Sequence, residues 1–222
     1  MTRQENNLLI HLIGPKDKSK WPLIWNKCYN IWKTSPYKIK LWNDEEDIDN
    51  LLKEEDPDFF QKLNSLPKIF KLDYVRYLIL EKFGGAYFDL DVEVKLDFLP
   101  SLSTQKIYIV EANKGVTDEI VQNCIMISLD KTPLSKFFWN TVKNYSKTKV
   151  KNNFKICKDQ FYKLPEGTNI RETVGSIMLS EVYNSPPFFT SSYIQLLSHL
   201  HFNHSPHDFK ICIHHQTGKW NL

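Results

Sequence analysis

The sequence has no stretch that could cross a membrane. The N-terminal MTRQENNLLIHLIGPKDK holds an apolar run of only about six residues, broken by His11. That is too short and too polar for a signal peptide or for a span of roughly 20 residues. A cytoplasmic protein with no membrane anchor is expected, and the triplets beginning at Asn144 and Asn203 carry no weight as glycosylation signals. The four cysteines, Cys28, Cys124, Cys157 and Cys212, are scattered with no CxxC pair. This excludes paired-cysteine zinc sites and points to reduced, buried thiols. A dense basic stripe is also missing: 29 Lys and Arg against 26 Asp and Glu give a net charge of +3. That balance permits an anionic ligand and gives no reason to expect nucleic acid. There is no internal repeat and no low-complexity tract. What is abundant is aromatic surface, 14% of residues with six tryptophans, in a chain of 222. A single domain over residues 1–222 with a sizeable core is expected.

Hydrophobic spacing places the elements. Leu8–Ile13 reads as a buried strand stopped by Gly14-Pro15, and a polar basic loop follows. Trp21, Trp25, Cys28 and Trp32 recur at helical spacing and predict a helix with an aromatic face that packs on a sheet. Tyr37–Trp42 alternates as a second strand, and Asn43-Asp44 can cap the helical segment over 45–63, broken at Asp56-Pro57. Strands are expected over Lys106–Ala112 and Asn123–Ser128, then an amphipathic helix over Pro133–Val150. Lys151–Pro165 reads as a basic irregular loop. One helix is expected from Thr168 or Asn169 to about Tyr183, and a further strand over Phe209–Ile213, beside a histidine-rich tail. Strands alternating with helices predict an α/β fold with a mainly parallel central sheet flanked by helices. Such sheets bind ligands at the carboxyl ends of their strands.

The chemistry concentrates in residues 67–95, PKIFKLDYVRYLILEKFGGAYFDLDVEVK. Leu72, Val75, Ile79 and Phe83 mark one apolar face of a helix. Pro67 suits its first turn, and Gly84–Gly85 suits a left-handed exit. The period then changes to two, with Ala86, Phe88, Leu90, Val92 and Val94 on one face and Tyr87, Asp89, Asp91 and Glu93 on the other. In an extended strand Asp89 and Asp91 would lie about 7 Å apart on one side. Carboxylates held that close repel unless a positive group sits between them. A hard divalent cation, Mn²⁺ or Mg²⁺, is the natural candidate.

Leu72-Asp73-Tyr74-Val75-Arg76-Tyr77 followed by Phe83-Gly84-Gly85-Ala86-Tyr87-Phe88-Asp89-Leu90-Asp91 resembles the DXD sugar-binding region of glycosyltransferases. The group is the one containing the yeast initiating α-1,6-mannosyltransferase, capsular polysaccharide transferases and clostridial glucosylating toxins. Three further stretches extend the likeness. Ile10-His11-Leu12-Ile13-Gly14 resembles the family's first strand without its tryptophan, and Pro36–Asp44 resembles the second. His214-His215-Gln216-Thr217-Gly218-Lys219-Trp220 resembles the closing H-H-x-x-G-S-W, with Lys219 in place of serine. Glu172–Ser176 is similar to a T-G-P segment, with Ser176 for proline.

The resemblance implies a GT-A type nucleotide-sugar-binding fold. It implies metal-dependent transfer of a hexose from a UDP- or GDP-linked donor to an acceptor hydroxyl of a glycan or glycoconjugate. It further implies retention of anomeric configuration; an inverting enzyme would need a carboxylate base, for which Glu111 is the candidate. Asp91 is expected to ligate the metal and Asp89 to reach metal or ribose, with His215 or His214 from the tail as a further ligand. Asp73 and Arg76 are expected at the donor sugar and phosphate. His11 and the strand end near Leu12–Gly14 are expected at the base, and Tyr87 and Leu90 beside the diphosphate. Lys219 is expected at phosphate and Trp220 as a lid; Asn123 and Glu111 fall to the acceptor side. Asp89, Asp91 and Arg76 would carry catalysis. One rival is a non-catalytic nucleotide-sugar-binding relative, which the intact Asp73, Arg76, Asp89 and Asp91 oppose. The other, a DxD phosphatase, wants Thr or Val where Glu93 stands and its motif on the first strand.

Overall fold

The computed structural model describes residues 8–112, 119–159, 168–198 and 212–215. Strand β1 (Leu9–Gly14) leads through a polar loop into helix α1 (Leu23–Lys33), then β2 (Lys38–Asn43). Helices α2 (Glu46–Glu55), α3 (Pro57–Asn64) and α4 (Lys68–Phe83) follow, then β3 (Gly85–Phe88) and β4 (Val92–Val94). Next come β5 (Ile107–Glu111), β6 (Val121–Ser128), α5 (Pro133–Asn152) and α6 (Phe154–Asp159). Helices α7 (Thr168–Thr173) and α8 (Ser176–Tyr183), then β7 (Ile194–Leu197) and β8 (Cys212–His214), complete the described α-helices and strands.

The main sheet has the order β2-β1-β3-β6-β5-β7. β1 runs parallel to β2 and β3, and β5 parallel to β7, while β6 runs antiparallel to both β3 and β5. Five of its six strands therefore point one way, the mainly parallel α/β sheet expected from the alternation of elements. Side-chain alternation divides the core between its faces. Ile10, Leu12, Ala86 and Phe88 turn toward α1, whose Trp25 and Trp32 fill that side. Ile13, Tyr87, Ile109 and Met126 turn toward α2, α3, α4, α5 and α8 on the other. The aromatic helix face read from the tryptophans is thus packing surface, and the four cysteines are buried free thiols.

Five expectations change. Helix α4 has no single apolar face: every residue from Phe70 to Leu80 is buried, including Lys71, Asp73 and Arg76. A helix covered on all sides is a central one, here with α3 and α5 against it. The single strand over 86–94 is two. β3 stops at Phe88, the Val92 amide donates to the Asp89 carbonyl (3.1 Å) to close a turn, and β4 departs to pair with β8. The helix over 168–183 breaks at Val174–Gly175, where a Cβ on Gly175 would lie 2.8 Å from the Arg171 backbone. Finally, Phe154–Asp159 is helical where a loop is expected, and β7 has no counterpart in the sequence reading.

The turn into β3 depends on glycine. Gly84 has φ 66° and Gly85 φ 85°, and a Cβ on Gly85 would stand 2.3 Å from the Leu9 carbonyl oxygen. Only glycine lets β3 lie that close to β1 in this conformation.

Candidate active site

The parallel pairing of β1 with β3, His11 opposite Tyr87, brings their carboxyl ends to one edge of the sheet. There the Asp89 amide donates to the Cys124 carbonyl of β6 (2.9 Å), which fixes where β3 ends. The turn carries both aspartates, so they stand at the edge of the sheet and not along a strand face. β4 then pairs with β8, Val92 opposite His214, and the His215 amide donates to the Asp91 carbonyl (3.0 Å). Two segments more than a hundred residues apart in sequence thus place Asp89, Asp91 and His214 together.

The ligand atoms of these three side chains all lie within 4.8 Å of one another. The His214 Nε2 is 3.3 Å from Asp91 Oδ1 and 4.0 Å from Asp89 Oδ2. Two carboxylates and an imidazole this close together are a donor set that would suit a divalent cation. Both aspartates are buried, and burial, helped by the neighbouring Asp91, raises the Asp89 carboxyl above its usual range despite Arg76, His214 and Tyr87. Burial disfavours a charged His214, but the adjacent Cys124 and Asp91 outweigh it and raise the ring well above an ordinary histidine. A proton on His214 and a cation between the carboxylates are alternative ways to supply the same missing positive charge.

Behind the cluster stands α4. Arg76 and Asp73, one turn apart, pair at 2.9 Å, and the same guanidinium nitrogen lies 3.2 Å from Asp89 Oδ1. Arg76 also donates to the Asn123 carbonyl (3.2 Å) and lies 5.0 Å above the Tyr87 ring. The Tyr87 hydroxyl donates to Asp89 Oδ1 (2.7 Å). Burial pushes the Asp73 carboxyl up to about 6, the Asp89 charge adding to it and Arg76 and an Asn123 hydrogen bond opposing. Asp73 and Arg76 are therefore a buried pair joined to the site and not a surface ion pair.

Some expected donor contacts sit elsewhere. His11 is fully enclosed: its Nδ1 accepts from the Trp42 indole (3.1 Å) and its Nε2 donates to the Gly84 carbonyl (3.0 Å). One neutral tautomer satisfies both bonds, and burial, with Lys40 assisting and the Gly84 bond opposing, lowers its pKa to about 4. Its side chain ties β1, β2 and the glycine turn together and leaves no ring nitrogen for a base. Leu12 and Leu90 are buried in the core, and Leu90 packs on Gly14, where a Cβ would meet it at 2.3 Å. Tyr87 too is enclosed. His215 turns away from His214's partners and meets Glu93 Oε2 at 3.1 Å. Lys219 and Trp220 lie outside the described residues. At the ends of β1 and β2 there is an open cleft of about 320 Å³, lined by Gly14, Pro15, Lys16, Leu41, Asn43, Glu46 and Asp47. Reasoning from sequence overlooked Lys27 and Cys124, and took Glu93 only as a mismatch to a phosphatase motif. The period-two run Asp89, Asp91, Glu93 was the available signal.

In this mainly parallel α/β sheet two carboxylates and an imidazole converge beyond a strand end, the place where such sheets bind ligands. Residues 20–108 match the model of the glycosyltransferase sugar-binding region containing the DXD motif. In fold the chain is similar to the PaToxG glycosyltransferase (TM-score 0.48, 14% identity, covering 85% of this chain and 72% of that one). It is also similar to a glycosyltransferase involved in glycosylation of the major capsid of PBCV-1 (TM-score 0.42, 12% identity, 87% and 83%). No protein of curated function matches the chain in sequence.

Proposed function

We propose that the protein transfers a hexose from a UDP- or GDP-linked donor to a hydroxyl of a glycan or glycoconjugate, with a divalent cation at Asp89, Asp91 and His214. The observation that carries this reading is the convergence of those three side chains beside the buried Asp73–Arg76 pair. The mixed oxygen and nitrogen donors suit Mn²⁺ better than Mg²⁺, which favours oxygen and several waters. When bound, the cation supplies Lewis-acid stabilisation of the departing diphosphate.

The chain's own residues set up the rest. Arg76 holds Asp89 and Asp73 in fixed geometry, and Tyr87 orients Asp89 through its hydroxyl. Asp73 accepts hydrogen bonds from donor-sugar hydroxyls, and the β1 end at Leu12–Gly14 offers backbone to the base, held by the His11 bonds. Lys219 contacts phosphate, and Trp220 covers the donor. No residue is assigned as a base, in keeping with retention, for which the anomer of the product, read by NMR, is the check.

The test is release of UDP or GDP from a panel of nucleotide sugars with and without Mn²⁺. Turnover is expected to require the metal and to fall at least about a hundredfold in Asp91→Ala, the scale of losing a group that stabilises developing charge. Unchanged turnover in that variant would refute the assignment.

A further inference from the structure

We infer that Glu93 is a positioning residue for the metal site: it anchors the strand that delivers His214. The inference rests on the metal-dependent reading above. Among the described residues β8 pairs with β4 alone, with register Val92–His214, Glu93–Ile213 and Val94–Cys212. A two-stranded ribbon that short is marginal by itself. Val92, Val94 and Cys212 bury part of it in the core, and Glu93 adds a polar tie. Its Oε2 accepts from Lys27 Nζ of α1 (2.8 Å) and meets His215 Nε2 (3.1 Å). One carboxylate oxygen therefore joins α1, β4 and the end of β8, at a side chain only 13% exposed.

The consequence for His214 is geometric. Adjacent residues at the end of an extended segment point to opposite sides. With the His215 ring held at Glu93 and its amide at the Asp91 carbonyl (3.0 Å), the His214 ring faces Asp89 and Asp91. Without the Glu93 anchor the His215 ring loses its partner and the His214 ring its fixed direction. Glu93 touches neither the cation nor the donor; it acts through His215 and the strand. Partners bonded directly to a ligand typically carry a 10- to 100-fold share of metal affinity, and Glu93, one residue further out, is expected at the low end of that range.

The experiment is a Mn²⁺ titration of the full chain, with free Mn²⁺ read by electron paramagnetic resonance. It compares wild type with Glu93→Gln, Lys27→Gln, His215→Gln and Asp91→Asn. Glu93→Gln and His215→Gln are expected to weaken Mn²⁺ about tenfold, and Lys27→Gln to shift it less in the same direction. In turnover, Glu93→Gln is expected to need more Mn²⁺ yet recover near wild-type kcat when saturated, whereas Asp91→Asn does not recover. Glu93→Gln that melts lower without metal but binds Mn²⁺ as wild type does would make Glu93 merely structural and overturn the inference. Should Glu93→Gln fail to fold, Lys27→Gln decides, since its side chain is 58% exposed and its removal leaves the core intact; unchanged affinity there overturns the inference. Wild-type protein that binds no Mn²⁺ overturns the metal reading together with this one. Binding lost in Asp91→Asn but unchanged in the other three variants overturns this one alone.

Discussion

Replacing Asp73 by asparagine is expected to make the protein more stable and less active. The carboxyl has its midpoint near 6 in the folded chain against 3.8 when unfolded, the largest cause being burial. At about 1.4 kcal/mol for each pH unit between those values, keeping Asp73 charged costs about 3 kcal/mol near neutrality. The sign follows from proton binding. Between pH 3.8 and about 6 the folded state holds more protons than the unfolded one, so this stability is present below 3.8 and lost as pH rises through 6. Asparagine has nearly the same shape and cannot ionise, so it keeps the neutral-form stability at every pH. For a chain of this length, about 3 kcal/mol corresponds to a Tm rise of about 6–12 °C at pH 7.5. The gap should close on acidification to pH 4, and scanning calorimetry of metal-free protein across that range reads both quantities. Loss of a charged hydrogen-bond acceptor at the proposed donor sugar is worth about 1.5–3 kcal/mol, so kcat/KM should fall about 10- to 100-fold. A variant less stable than wild type at pH 7.5, or a Tm gap that does not change between pH 7.5 and 4, would refute the reasoning.

Gly85→Ala should unfold the enzyme at much lower urea, by about 3 kcal/mol or more. The new Cβ meets a backbone oxygen at 2.3 Å in a φ 85° conformation, and neither partner can yield without moving a strand. Trp42→Phe removes the donor to His11 Nδ1 and leaves a buried nitrogen unsatisfied, a loss of about 1–3 kcal/mol in urea melts. A cost below about 0.5 kcal/mol would show that the histidine bond does not hold the strands as argued.

The sheet was readable because buried strands announce themselves. LLIHLI and KIYIVEA are apolar runs bounded by turn residues, and their positions match β1 and β5 to within about two residues. Asp89, Asp91, Asp73 and His214 were readable from residue type in a family pattern. Three features were not. The break between β3 and β4 leaves the alternation of residues 86–94 intact, because the turn at Asp89–Val92 preserves side-chain parity while changing partner strands. Helix α4 shows an apolar face in sequence, but the burial of Asp73 and Arg76 depends on Tyr87, Asn123 and Asp89, which come from other elements. His11 was expected at the base because its strand resembles the family's first strand. Only the positions of Trp42 and Gly84 show that both its nitrogens are already taken.

The charges at the strand ends bear on why α4 is built as it is. Asp73, Asp89 and Asp91 lie buried with one guanidinium among them, so with His214 neutral the group carries a charge of about −2. Folding alone does not favour this. Buried ion pairs are at best weak contributors to stability, and replacing them with apolar groups is often stabilising. Burial has already raised two of the carboxyls, the direction of a site under electrostatic strain. A divalent cation would neutralise the excess and relieve that strain, whereas a protonated His214 would relieve half of it. The buried helix α4, which carries Asp73 and Arg76, backs one side of the group. A fold that holds acidic groups in this state would gain binding strength for a cation at the expense of its stability when empty.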